Sequence, residues 1–313
     1  MQELKGEILK KILFLFIAIF TILNASKPEL TVSILPQKYF VQKIVKDKFD
    51  VNVMVLPGAS PHTYEPRSSQ MKSLMNSEIY FYIGVSFEKV WLDKFKSSAK
   101  NTTFVDISNG IEKLAMAKHE HHDEEESHAG HDHEKHDGHA DEKHEDTHEE
   151  EGTDPHIWLD PILVKVQAKN IYDTLVKIDS KNSEFYKTNY EEFLKELDVL
   201  DADLKTILAP YENRAFMVFH PSWGYFAKRY NLEQIAVEVE GKEPKPNELV
   251  ELIKDAKEHD IKIVFVSPQF SQKSAKTISK NIGAKVISLD SLDENWNSSL
   301  VLTAKEIANS YSK

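Results

Sequence analysis

The 313-residue chain contains no cysteine. That excludes a disulfide framework, a thiolate metal site, a cysteine nucleophile and a lipid anchor attached through a thiol. A long apolar run is missing too. The stretch "ILFLFIAIFTIL" at positions 12–23 has twelve residues, well short of the about 20 that span a membrane. No basic stripe occurs, so a nucleic-acid partner is excluded. There is no H-E-x-x-H helix and no G-x-S-x-G elbow: Ser222 simply follows "HP", and Glu65 in "HTYEP" has no context marking it as a base. These absences argue against an enzyme.

What is abundant is histidine and acid in one place. The run His119–Glu151 carries ten histidines (His119, His121, His122, His128, His131, His133, His136, His139, His144 and His148) and fifteen acids against two lysines. That segment alone holds a charge of −13, whereas the whole chain has −12, so the rest is nearly neutral. With so few apolar residues the run, taken as a loop over 118–152, has nothing to build a core from and reads as disordered. Its imidazoles suit several weak, exchangeable sites for a cation, and the acids raise the local cation concentration.

At the start, a basic n-region, the short apolar block and Ala25 before a plausible cut read as a cleavable secretory signal over 1–25. The body then alternates short apolar strands with helical periodicity. "LTVSILP", "VNVMVLPG", "EIYFYIG" and "TTFVDIS" predict four strands before the acidic run. "RAFMVFH", "EQIAVEVE", "IKIVFVSP" and "KVISLD" predict four more near the end. Between the two groups, "EFYKTNYEEFLKELDVLDADLKTIL" repeats apolar residues at helical steps over about 25 residues, enough for about 37 Å. The expected fold class is α/β: two lobes with parallel four-stranded sheets flanked by helices, joined by one long linking helix. The expected divisions are an N-terminal lobe over 26–180, the linking helix over 181–209 and a C-terminal lobe over 210–313.

Open parallel sheets bind ligands outside the carboxyl ends of their strands. His62 stands just past the second strand, His220 ends "RAFMVFH" and Asp290 ends "KVISLD"; His156 lies in "TDPHIWLDP", directly after the acidic run. Three neutral imidazoles and one carboxylate suit four-coordinate Zn²⁺, with donors at about 2.0–2.2 Å. Each residue also has a bland reading. A loop histidine is commonly a surface hydrogen-bonding group, an Asp after a strand a turn former, and His259 in "KEHDIK" a favourable helix C-terminal residue.

"LPGASPHTYEP", "TDPHIWLDP", "FHPSWGYFAKRYNL", "EGKEPKPNEL", "FVSPQFS" and "ISLDSL" occur in the order seen in metal-specific solute-binding proteins of ABC importers, and the chain resembles their ZnuA-like group. The resemblance implies two α/β lobes on a rigid helix, with a metal between them held by His62, His156, His220 and Asp290. Members specific for manganese or iron resemble this chain but have a carboxylate where His220 stands. A third imidazole favours zinc. Ser267 departs from the glutamate common in relatives, and that position is left out of the site. The resemblance therefore implies a monomeric periplasmic protein that captures Zn²⁺ as cargo. It would deliver the ion to a membrane permease driven by a cytoplasmic ATPase, with the His/acid run as an accessory. The alternatives are a manganese-type member of the class and a zinc storage or adhesion protein. Because ligating imidazoles must be neutral, affinity is expected to fall below about pH 6.5.

Overall fold

The computed structural model describes residues 27–116, 152–238 and 242–312. The expected signal over 1–25 and the ten histidines of the acidic run lie outside the described residues.

The first lobe begins β1 (Glu29–Val32), α1 (Leu35–Val45), β2 (Asp50–Val53), α2 (Ser68–Asn76), β3 (Ser77–Tyr82), α3 (Ser86–Ser98) and β4 (Thr103–Asp106). Its four strands are parallel in the order β2-β1-β3-β4. After the acidic run come a short 3-10 turn (Ile157–Leu159), α4 (Pro161–Ile178) and the long α5 (Ser183–Leu208). The second lobe follows: β5 (Ala215–Val218), α6 (Gly224–Arg229), β6 (Glu233–Ala236), α7 (Pro246–Glu258), β7 (Ile263–Val266), α8 (Lys273–Ile282), β8 (Lys285–Ser288) and α9 (Trp296–Tyr311). Its sheet repeats the same parallel order, β6-β5-β7-β8. The α/β class with two four-stranded parallel sheets and a long joining helix is the one the sequence pattern implied.

The paired strands are shorter than the apolar runs that announced them. β5 stops at Val218 and β8 at Ser288, so His220 and Asp290 sit two residues beyond their ladders. The apolar residues continue because these turns are still covered: Phe219 is buried and its amide still donates to the Phe265 carbonyl at 2.9 Å.

Helix α5 explains how two sheets make one body. Tyr186, Asn189, Phe193, Leu197, Leu200, Leu204 and Leu208 are buried at steps of three and four, one continuous stripe on a helix of 26 residues. It packs on α4, on α1 of the first lobe and on α9 of the second. One apolar core therefore runs from Leu30 and Phe81 through Phe193 to Trp296 and Ile307. At the junction Phe40 meets Trp296 edge-on at 4.9 Å between ring centres. Arg229 of α6 grips Asp201 of α5 with two hydrogen bonds of 2.9 and 2.8 Å.

The two ends of the acidic run are tied together. Met116 N donates to Gly152 O at 3.0 Å, Asp154 N donates to Leu114 O at 2.8 Å, and Ala115 bridges Thr153 antiparallel. This short ladder delivers the chain to Asp154 and His156.

Candidate metal centre

Three loops converge between the lobes. His62 follows β2 in a turn whose carbonyl at Pro61 accepts the Phe87 amide at 3.1 Å, fixing the turn to the start of α3. His156 opens the 3-10 turn that leads into α4, which Asp160 caps by accepting the Ile162 amide at 2.7 Å. His220 follows β5, where Ser222 N bonds back to its carbonyl at 2.7 Å. One nitrogen from each of His62, His156 and His220 lies within 4.8 Å of the other two, a spacing that one ion can bridge.

Each ring is oriented by a partner on its Nδ1. Asp154 Oδ1 accepts from His156 Nδ1 at 2.6 Å and from the His156 amide at 2.9 Å. Glu238 Oε1 accepts from His220 Nδ1 at 2.6 Å. Both carboxylates are buried, and each fixes Nδ1 as the protonated nitrogen, leaving Nε2 with its lone pair facing the cleft. His62 differs: its Nδ1 meets the Ser86 hydroxyl at 3.1 Å, and its Nε2 lies 2.9 Å from His220 Nε2. Since His220 Nε2 is an acceptor, His62 Nε2 is the donor of that pair, and Ser86 donates to His62 Nδ1. An ion would require the opposite tautomer of His62. A hydroxyl serves both states, since it donates in one and accepts in the other.

Trp158 and Phe270 wall the site. The Phe270 ring stacks on His220 at 5.0 Å and 22°, and Trp158 lies 5.0 Å from the His156 ring. Trp158 is 1% exposed; its Nε1 donates to Ser291 O at 2.8 Å and its carbonyl accepts from Trp296 Nε1 at 2.7 Å. The resulting cleft is also lined by Pro61, Val85, Pro155 and Leu292.

Burial, reinforced by the neighbouring rings of His220 and His156, pushes His62 down to about 3. Burial also lowers His156, against the pull of Asp154. Both rings therefore stay neutral and ready to ligate below the range of a free histidine. Proton competition at these two positions therefore begins lower than the pH of about 6.5 expected from free imidazole.

Of the four expected ligands, the structure brings together the three histidines. The Asp290 carboxylate is not in that group; its Oδ1 accepts from Gln269 Nε2 and from the Leu292 amide, both at 2.9 Å. His259 keeps its bland reading, with Nδ1 2.9 Å from the Asp255 carbonyl in the preceding helical turn. Sequence reasoning missed Ser86, Asp154, Glu238 and Gln269. Asp154 could have been found, since it stands two residues before His156. Glu238 becomes visible only once β5 and β6 are known to be neighbours.

The family model for the zinc-uptake complex component A, periplasmic (ZnuA), matches residues 30–309. The chain belongs to the ZnuA family. It is 30% identical over 262 residues to the high-affinity zinc uptake system protein ZnuA of Bacillus subtilis (strain 168), covering 82% of this chain and 76% of that one. A crystal structure of ZnuA superposes with a TM-score of 0.78 at 41% identity, covering 91% of this chain and 99% of that one. A ZnuA deletion mutant with zinc bound gives the same TM-score and identity over 92% of this chain and 99% of that one. The family's members are binding components of uptake systems rather than enzymes, and its description places them in the periplasm. The order of motifs thus led to the right family.

Proposed function

We propose that this protein captures Zn²⁺ outside the cytoplasm and hands it to the membrane permease of an ABC importer. The observation that carries the reading is the convergence of His62, His156 and His220, each backed on Nδ1. Three neutral nitrogen donors with no carboxylate among them favour zinc over manganese, which prefers oxygen. The zinc uptake protein of Bacillus subtilis and the zinc-bound ZnuA structure support the same choice. Membership of a periplasmic family supports residence in the periplasm, and the reading takes residues 1–25 as the export signal and the protein as a monomer.

In this reading zinc exchanges its water for imidazole in a cleft walled by Trp158 and Phe270. The shared core along α5 restrains the lobes, so release proceeds by movement of the ligand loops rather than by wide opening. The His/acid run collects ions and passes them to His156, which follows the ladder at its base.

The test is a zinc titration against a strong chelator, using the full chain, a variant lacking residues 117–151, and that variant with His62, His156 and His220 changed to alanine. One tight site kept by the deletion and lost with the alanines supports the reading. Loss of tight binding with the run alone would assign capture to the run and refute it.

A further inference from the structure

Asp290 is bonded to Gln269, a residue shared between the histidine cleft and a neighbouring space. Gln269 lines the cleft that contains the three imidazoles. It also lines a second, smaller space, shared with Asp290, Leu292 and the first-lobe segment Leu56–Ala59. Leu292 borders both spaces as well, so these two residues form the partition. Across it, Gln269 Nε2 and Leu292 N both donate to the same carboxylate oxygen of Asp290.

The position of Gln269 is itself fixed. Phe270 N closes a turn on Ser267 O at 3.1 Å directly after β7, and the Phe270 ring stacks on His220. Gln269 thus precedes a residue stacked on a ligand, and its own amide bonds the carboxylate. Asp290 is pinned through its backbone too, since its carbonyl accepts from Ser299 Oγ at 3.3 Å and from Asp293 N at 3.3 Å. Only the side chain would have to swing to reach an ion, and doing so would break both of its hydrogen bonds.

We propose that Gln269 is a specificity-determining latch, holding the Asp290 carboxylate away from the three imidazoles and keeping the site suited to zinc. The proposal rests on the zinc-site reading above. Zinc is satisfied by three nitrogens and one small fourth donor, whereas a harder ion such as Mn²⁺ gains from a carboxylate oxygen. With the latch closed, the ion that gains most from Asp290 is denied it. With the latch open, the site becomes three imidazoles and a carboxylate, and its preference moves toward hard ions.

The experiment is a double-mutant cycle on the full chain: wild type, Gln269→Ala, Asp290→Asn and the double variant, with His156→Ala as a control for the centre itself. Gln269→Met, which keeps the volume and drops the amide, guards against collapse in the alanine variant. Zn²⁺ and Mn²⁺ affinities are measured by competition, and the visible spectrum of bound Co²⁺ reports the donor set. In the wild-type background Asp290→Asn should change zinc affinity by no more than about threefold. In the Gln269 variants Mn²⁺ binding should tighten about tenfold or more, with an altered Co²⁺ spectrum, and Asp290→Asn should reverse both effects. Unchanged Mn²⁺ affinity and Co²⁺ spectrum in both Gln269 variants would reduce Asp290 to a turn former and overturn the latch. A loss of zinc affinity in Asp290→Asn as large as in His156→Ala would also overturn it, because Asp290 would already be a ligand. If wild type and His156→Ala bind zinc equally, the metal centre itself is wrong and the latch falls with it.

Discussion

Removing the His62 imidazole should flatten the acid sensitivity of the metal-free protein. An unfolded chain carries a histidine near 6.5, whereas burial and two neighbouring rings hold His62 at about 3 in the folded state. As pH falls, the unfolded chain takes up the proton first. The folded state therefore keeps its full stability above about 6.5 and loses it progressively toward about 3. Between pH 7 and 5.5 an ordinary unfolded histidine gains most of a proton and the folded ring gains almost none; integration gives about 1.2 kcal/mol lost. His62 is partly exposed, so solvent screening lowers this to about 1 kcal/mol. Over this interval the loss is set by proton uptake in the unfolded chain. His156 acts in the same direction and remains in both proteins being compared. The assay is urea unfolding in the presence of a chelator, for wild type and His62→Gln at both pH values. The wild type should lose about 1 kcal/mol more than the variant on acidification. Equal losses would show that His62 titrates normally in the folded protein and would refute the buried neutral ring.

The partners behind the ligands should matter unequally. Asp154→Asn and Glu238→Gln should each weaken zinc binding by about 10–100-fold, and Ser86→Ala by less, since a hydroxyl orients His62 without a charge; equal losses at all three, read by chelator competition, would count against that ranking. Trp158→Ala removes a fully buried ring whose Nε1 donates to Ser291 O, and should cost about 3–5 kcal/mol in urea unfolding. A cost below about 1 kcal/mol would mean that the cleft wall does not belong to the common core.

Both sheets and the long helix were legible because their signals are local. Val and Ile run through the strands, and leucines of α5 recur at helical steps without any knowledge of the partner surface. The three histidines were legible for a different reason: strand ends and loops after strands are where a parallel sheet exposes side chains to a ligand. Asp290 satisfied the same rule, yet its carboxylate went to Gln269 and Leu292. That outcome depends on two donors brought from the ends of adjacent strands β7 and β8, a contact with no periodic signature. The anchors Ser86 and Glu238 were hidden likewise: Ser86 looks like any polar residue at a helix start, and Glu238 is 18 positions from His220.

The antiparallel ladder of residues 114–116 and 152–154 has a consequence for the history of the chain. Its two ends are hydrogen-bonded neighbours, so whatever joins Met116 to Gly152 need only turn back on itself. Loop-closure entropy rises only with the logarithm of length, with each doubling costing about 0.6 kcal/mol. Segments can therefore be inserted, lengthened or trimmed here at little thermodynamic cost, while Asp154 and His156 keep their places. The ladder is a splice point at which the composition of the segment between its ends can be selected independently of the three histidines.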